Sequence, residues 1–359
     1  MKKLSKKKRI LLAALCGLLI LASLVCFGLT AYLSRLLPSQ YEAERWQGEG
    51  ETAFAQVSCF LPVDSKIDLN KIYQFRYAIL DKLHEAGFEA DTDTLLFRDA
   101  WSTTDKVSVS SALGKGEASA VAVGGHFFDF HPLRLLNGSY ISEDDLMQDR
   151  VLLDEDLAWL LFGGRDLQGM EMRINGVPFV VAGVVEREQD FASRKAYTSG
   201  MGLFMSYDAY VLLKENEGAS CYELCMAEPV KDFVKNFVKE KFPIGQGEIL
   251  ENSSRFSAAR LLGLVGSFGS RSMQTTGVLY PYWENAARCV EDWCSMLLFL
   301  GLLFILFPLV LGIVILVRWL KRGKEKLEED LLPALRDKAE EKVESIQRKR
   351  WEKKHKESR

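Results

Sequence analysis

No P-loop, no glycine fingerprint for a dinucleotide and no nucleophile-elbow serine occurs in the 359 residues, so the chain offers neither a recognised nucleotide site nor an acyl-transfer nucleophile. Low complexity is absent too. With 48% hydrophobic and 26% charged side chains, the composition is that of a globular polypeptide rather than a disordered or collagen-like one. A basic excess is missing where a folded body would carry it. Residues 1–9 hold six Lys or Arg and no acid, residues 318–359 hold fifteen basic and ten acidic residues, and positions 10–317 keep 25 basic against 39 acidic. A nucleic-acid binder tracks phosphates with a basic footprint on its folded body, so no nucleic-acid partner is expected.

Charge vanishes altogether from two stretches, the 24 residues Ile10 to Leu33 and the 23 residues Ser295 to Val317. A helix rises about 1.5 Å per residue and a bilayer core is roughly 30 Å thick, so about 20 apolar residues span it. Both stretches exceed that length. A cleaved signal peptide has an apolar region of about 7 to 15 residues, whereas this one runs on through Phe27, Leu29 and Tyr32 toward Arg35, which predicts a retained anchor. The residues before Cys16 and Cys26 lack the small residue that lipoprotein processing needs just before the cysteine.

Lys and Arg near a span stay on the cytoplasmic side. The leader Lys2, Lys3, Lys6, Lys7, Lys8 and Arg9, and Arg318, Lys321, Arg322 and Lys324 beyond the second span, put both termini inside. The expected order is a cytoplasmic basic leader (1–9), transmembrane helix (10–33), extracytoplasmic domain (34–294), transmembrane helix (295–317) and charged cytoplasmic tail (318–359), in a bacterial plasma membrane. Trp293 and Trp319 bracket the second span and Pro308 lies within it, which membrane helices tolerate. Membrane lipid is therefore a partner.

Cysteine is too sparse and too uneven outside the first span to suggest a disulfide framework: Cys59, Cys221, Cys225, Cys289 and Cys294. On a strand, Cys221 and Cys225 stand about 13 Å apart, too far to bridge. Cys59 paired with one of them stays geometrically open beside the commoner reading, buried free thiols.

The outer region opens with Gln40 to Glu51, a polar, Glu-rich segment expected to extend the first span as a stalk. Ala53 to Phe60 reads as a half-buried strand stopping at Pro62. Asp68 can cap a helix in which Ile72, Phe75, Ile79, Leu80 and Leu83 recur at helical spacing up to Gly87. Far downstream, Tyr222 to Met226 reads as a strand, followed by Pro229 and an amphipathic helix marked by Val230, Phe233, Phe237 and Val238. These two strand–helix halves, 56–116 and 220–250, form one α+β module split by a β-rich insertion over 117–219.

The insertion carries an ordered series of elements. Val121 to Phe128 leads into Leu133 to Gly138 and the acidic Ser142-Glu143-Asp144-Asp145. Val151 to Leu153 then runs into Asp154, which heads a helix packing Leu157, Leu160 and Leu161 before Phe162-Gly163-Gly164. Asp166 and Gly169 precede a hairpin in which Asn175-Gly176 supplies a type I′ turn before Val177 to Val185. Over Val121 to Glu186, the order and spacing of these pieces resemble the periplasmic core domain of MacB-type ABC transporters, the extracytoplasmic part of FtsX-like permeases. One departure is Ser139-Tyr140, where that family commonly places Arg directly after the glycine. The resemblance implies an α+β MacB-like domain between transmembrane helices, transport coupled to an ABC ATPase, and usually four spans, three of them after the domain. Only one apolar span follows here, which predicts a reduced two-helix anchor.

Other constellations have ordinary structural readings. His126, Asp129 and His131 put three possible ligands within six residues, but Phe127, Phe128 and Phe130 interleave with them, and a metal site usually needs a fourth group and a fixed second shell. Asp144-Asp145 and Asp154-Glu155-Asp156 fall at expected helix starts, where acids complement the dipole. No catalytic, cofactor or metal residue is assigned, no cofactor is expected, and an enzyme is not predicted.

Residues 251–294 are expected to form a helical stalk. Within it Ser253 to Met273, with Arg255, Arg260 and Arg271, reads as an exposed or partner-packed helix broken at Gly277, and Tyr282 and Trp283 are expected near the outer headgroups. In the tail, Leu327, Leu331, Leu335, Ala339 and Val343 make a short-lived stripe on a solvated helix begun or broken at Pro333, and Arg348 to Lys354 suits anionic headgroups. Ala13, Ala14 and Gly17 give the first span a small-residue face for helix packing. The expectation is a noncatalytic membrane subunit resembling an ABC transporter permease, accessory to an export or envelope-remodelling system. It is expected to assemble with itself or with a fuller permease subunit, with an ABC ATPase as partner. The alternative is a membrane-anchored extracytoplasmic sensor or binding module.

Overall fold

The computed structural model describes residues 5–50, 52–88, 96–197, 201–214, 218–326 and 332–356. Lys2, Lys3, Glu51, Leu327, Leu331 and Ser358 lie outside them. Helix α1 (Lys6–Ser34) is followed by α2 (Glu42–Gln47), strand β1 (Phe54–Phe60), helix α3 (Leu69–Glu85), the long strands β2 (Phe97–Ser110) and β3 (Lys115–Gly125), and the single turn α4 (Phe127–Phe130). Strands β4 (Arg134–Gly138) and β5 (Arg150–Asp154), helix α5 (Glu155–Phe162), strands β6 (Glu171–Ile174) and β7 (Val177–Glu186) and helix α6 (Phe191–Ala196) come next. Strand β8 (Gly202–Ser206), helix α7 (Tyr207–Lys214), strand β9 (Cys221–Ala227), helix α8 (Phe233–Lys241), strand β10 (Glu248–Glu251) and helices α9 (Ala258–Leu264), α10 (Tyr282–Lys326) and α11 (Leu332–Lys356) complete the chain.

The chain divides into two units, residues 27–299 and residues 1–26 with 300–359. In the larger unit the strands form one sheet in the order β10-β1-β9-β2-β3-β8-β5-β7-β4, with β6 paired to β2 and β7. The two distant halves meet directly, because β1 and β9 pair antiparallel along their whole length. Helices α3 and α8 join over that pair, where Phe75 stacks on Phe237 at 5.4 Å and meets Tyr222 edge-on at 5.7 Å. Strand β2 pairs with β9 on one side and β3 on the other, so the insertion continues the same sheet.

Alternation along the strands sends residues to two cores. Val57, Cys59, Ala120 and Ala122 join the helices α3, α5, α7 and α8 on one face, while Phe60, Val121 and Val123 join Phe127, Phe130, Leu133 and Trp283 on the other. Asp68 caps α3 by accepting from the Asn70 amide, and Asp154 caps α5 by accepting from the Leu157 amide at 2.7 Å. Asn175 and Gly176, at φ 50° and 87°, turn β6 into β7 with the two left-handed residues of a type I′ turn.

Several local expectations are corrected. Leu80 and Val230 are exposed; Ile72, Phe75, Ile79 and Leu83, and Val234, Phe237 and Val238, supply the buried stripes instead. Residues 40–50 do not extend α1 as a stalk. The helix ends at Ser34, and Gln40, Glu42 and Ala43 are buried against β1, where the Gln56 side chain accepts from the Glu42 amide and donates to the Ser39 carbonyl. Asp144 and Asp145 begin no helix; Asp145 accepts from the Ser142 amide and closes a turn. Tyr282 and Trp283, expected near the outer headgroups, are packed on other aromatic rings: Trp283 is buried against Phe127 and His131, and Tyr282 stacks on Tyr197 at 4.2 Å.

In the smaller unit, the Ser23 hydroxyl donates to the Gly301 carbonyl at 2.8 Å, a polar contact between apolar helices. Ala13, Ala14 and Gly17 are exposed on α1, and Leu335, Ala339 and Val343 are exposed on α11. Among the described residues two helices, Lys6–Ser34 and Tyr282–Lys324, are long and apolar enough to cross a membrane.

Candidate functional site

The most polar buried region of the larger unit surrounds the first turns of α10. Glu284, Arg288 and Glu291 recur at i, i+4 and i+7, which sets them on one face of the helix. Arg255 enters that face from the loop before α9 and is fully buried. Its guanidinium forks onto Glu284, with Nη1–Oε2 2.7 Å and Nη2–Oε1 2.9 Å, while Nε meets Glu291 at 3.0 Å. Arg271 donates to Glu291 at 2.8 Å, and Arg260 stands 3.4 Å from the same carboxylate. Arg288 donates to Glu284 at 2.6 Å and to Glu248 at 2.7 Å. Each buried carboxylate therefore answers at least two guanidinium groups.

Burial by itself would push the Arg255 guanidinium down, but the fields of Glu284 and Glu291 overcome it and hold it above its ordinary value, so it stays charged. Burial would raise the Glu248 carboxyl; the Tyr280 hydroxyl, which donates at 2.6 Å, and Arg288 outweigh this and leave it below the usual carboxylate range. Burial and the same bond push the Tyr280 hydroxyl up to about 12.

The junction continues across the sheet as a chain of buried hydrogen bonds. Arg255 Nη1 and Asn252 Nδ2 both donate to Gln40 Oε1 at 2.9 Å. The Ser58 hydroxyl is shared between Asn252 and Glu223 at 3.1 Å each, and Glu223 meets His131 Nε2 at 2.5 Å. One polar path thus joins α4, β1, β9, the start of the domain and α10. Its members are buried almost completely, so each depends on its neighbours for hydrogen bonds.

This geometry separates the three residues of the possible metal constellation. His131 is committed to Glu223 and packed between Phe127 and Trp283, each with ring centroids 4.5 Å away. Asp129 pairs with Arg98 at 2.9 Å, and His126 is exposed. No group of three His, Cys, Asp or Glu suited to a metal ion occurs among the described residues. Cys59, Cys221, Cys225, Cys289 and Cys294 are buried free thiols, with Cys59 opposite Tyr222 in the register rather than opposite either β9 cysteine. Asp154, besides capping α5, pairs with Arg187.

Arg255 overturns the exposed-helix expectation for Ser253 to Met273: it stands before α9 and is the most deeply placed of the three arginines. Sequence reasoning missed Glu284, Arg288 and Glu291. Their signal was legible, since two acids and a base share one helical face immediately before an apolar span, and such groups need nearby partners.

The larger unit is an α+β domain lying in sequence between two helices long and apolar enough to cross a membrane, and buried ion pairs hold the first turns of the second of these helices within it. Residues 70–221 match the family described as the MacB-like periplasmic core domain. Among solved structures, it is similar to the extracellular domain of the noncanonic ABC-type transporter YknZ from Gram-positive bacteria, at 12% identity and a TM-score of 0.35, covering 51% of this chain and 88% of that one. It is also similar to the periplasmic region of MacB from Actinobacillus actinomycetemcomitans, at 16% identity and a TM-score of 0.40, covering 55% and 89%. No curated protein matches.

Proposed function

We propose that the chain is a noncatalytic membrane subunit of an ABC-transporter-type system, accessory to export or envelope remodelling. The observation that carries this reading is the Arg255–Glu284–Glu291 junction in a chain bearing a MacB-like domain. Freeing the first turns of α10 from the domain would have to break several buried ion pairs, each costly to leave unpaired. The domain over residues 34–294 lies outside the cytoplasm with both termini inside, following the basic flanks. The chain has no nucleotide motif, so the energy source is an ABC ATPase supplied by a partner, reached through a fuller permease or a second copy of this chain.

Crosslinking in native membranes followed by purification in mild detergent tests the assembly; co-recovery of an ABC ATPase or a permease is expected. Recovery of a monomer alone, with normal envelope phenotypes after deletion of residues 324–359, would remove the transport reading. Topology is tested separately with a Cys introduced at Ser358, which a membrane-impermeant thiol reagent should not label in intact cells.

A further inference from the structure

A cavity of about 480 Å³, within the size range of small-molecule sites, is lined in the larger unit by one face of the sheet and by Leu279 to Tyr282, the segment that enters α10. Strand register fixes the sheet side. Thr104 stands opposite Val121 in the β2–β3 pair, and Ser119 and Val121 stand beside Gly202 and Phe204 in the β3–β8 pair, so Thr104, Ser119, Val121 and Phe204 share that face. Val121, Leu133, Val185 and Phe204 are its apolar part. Thr104, Ser119 and Ser220 bring hydroxyl groups, which both donate and accept.

The charged residues of the lining are answered within the protein. Asp105 pairs with Lys214 at 2.7 Å and also meets the field of Lys66, Glu186 pairs with Arg134 at 2.9 Å, and Asp154 pairs with Arg187. At the rim the Glu188 carboxylate accepts from the stacked Tyr197 and Tyr282 hydroxyls. With Glu188 counted, the bases and acids of the lining and their direct partners balance. A charged ligand would give up its water here with no free counter-charge to meet, whereas an uncharged polar group needs only hydrogen bonds. One donor is open to it. Arg187 holds Asp154 through Nη2, and its buried Nε–H has no partner among the described residues. A Cβ on Gly202 would stand 3.4 Å from the Ser119 carbonyl oxygen and 3.5 Å from Arg187 Nη2, so this guanidinium lies at the Ser119 end of the cavity. An uncharged acceptor oxygen satisfies such a donor without competing for the Asp154 pair.

We propose that this cavity binds a small uncharged amphiphile, an apolar body bearing a carbonyl or hydroxyl oxygen. The body lies against Val121, Leu133, Val185 and Phe204, the oxygen accepts from Arg187, and the Thr104 and Ser119 hydroxyls take its remaining polar edge. Tyr282 is both part of the lining and the first residue of α10, so the ligand touches the sheet and the start of that helix together. The proposal does not depend on the transport reading, since a sensor would use the same cavity.

The test uses the full chain in lipid nanodiscs and fluorine NMR of 4-(trifluoromethyl)benzamide, with protein-free nanodiscs of the same lipid as the blank for partition into the bilayer. The expected result is saturable line broadening above the blank. The carboxylate and the benzylammonium cation of the same ring should bind roughly tenfold more weakly or worse, because each brings an unanswered charge. Ser119→Phe, at a half-buried position on the cavity face, should abolish binding. Thr104→Trp, at an exposed position on the same face, should do the same and keeps the test decisive should Ser119→Phe fail to fold. Arg187→Lys keeps a cation for Asp154 but lacks the secondary N–H, and should weaken amide binding about fivefold, the scale of one hydrogen bond. Either ion binding as tightly as the amide, or amide binding unchanged in folded Ser119→Phe or Thr104→Trp, would overturn the proposal; binding unchanged in Arg187→Lys would overturn the place given to the oxygen.

Discussion

Replacing Arg255 by Met removes the cation at the centre of the junction while keeping a long apolar side chain in its place. Three bonds to carboxylates are lost, at 2.7, 2.9 and 3.3 Å, with the 2.9 Å bond to Gln40. Breaking a buried pair by removing one partner costs about 3–5 kcal/mol. Glu284 keeps Arg288 and Glu291 keeps Arg271, so the lower end, about 3 kcal/mol, is expected. For a domain of this size that lowers the unfolding temperature by roughly 6–12 °C. The assay is thermal unfolding of the purified full chain followed by tryptophan fluorescence, with Trp283 beside the junction as one reporter. Arg260→Ala is the internal control: Arg260 is part-exposed and makes one contact at 3.4 Å, so it should cost about 1 kcal/mol or less. The double variant Arg255→Met with Glu284→Gln should recover part of the loss, because the stranded charge is gone. If Arg255→Met unfolds within 2 °C or so of the parent, the junction does not hold the first turns of α10 in the domain.

Four further outcomes follow from other parts of the molecule. His126→Ala should leave stability within about 0.5 kcal/mol of the parent, whereas His131→Ala strands Glu223 and should cost about 2–3 kcal/mol; elemental analysis should find no stoichiometric metal in either. Gly138 has φ 82°, and a Cβ there would stand 2.1 Å from the Ala182 carbonyl oxygen, so Gly138→Ala should lose more than about 2 kcal/mol in denaturant unfolding. Gly176→Ala has the same backbone strain but open space around it, and should lose only about 1 kcal/mol. Glu248 titrates below its unfolded value, so its contribution is present above about pH 4.3 and is lost as pH falls through the folded value; Glu248→Gln should flatten that acid limb.

What the sequence determined by itself was local or periodic. Two uncharged runs set the apolar helices, Asp68 and Asp154 announced their caps, and Asn175-Gly176 declared its turn, because each signal depends only on residues a few positions apart. The ordered run from Val121 to Glu186 likewise carried the family likeness without any knowledge of contacts. Helix periodicity separated Ile72, Phe75, Ile79 and Leu83 from solvent but misplaced Leu80 and Val230, since which flank of an apolar stripe is covered depends on the neighbouring elements. The two halves were legible as one module, but only the tertiary structure paired β1 with β9 across more than 150 residues, turned residues 40–50 back onto the sheet, and set Tyr282 and Trp283 among packed aromatics. It also decided the charge of the junction. The sequence set Arg255 on an exposed or partner-packed helix without naming its partner; once the fold buries Arg255 between Glu284 and Glu291, low local dielectric makes their separation costly and their pairing specific.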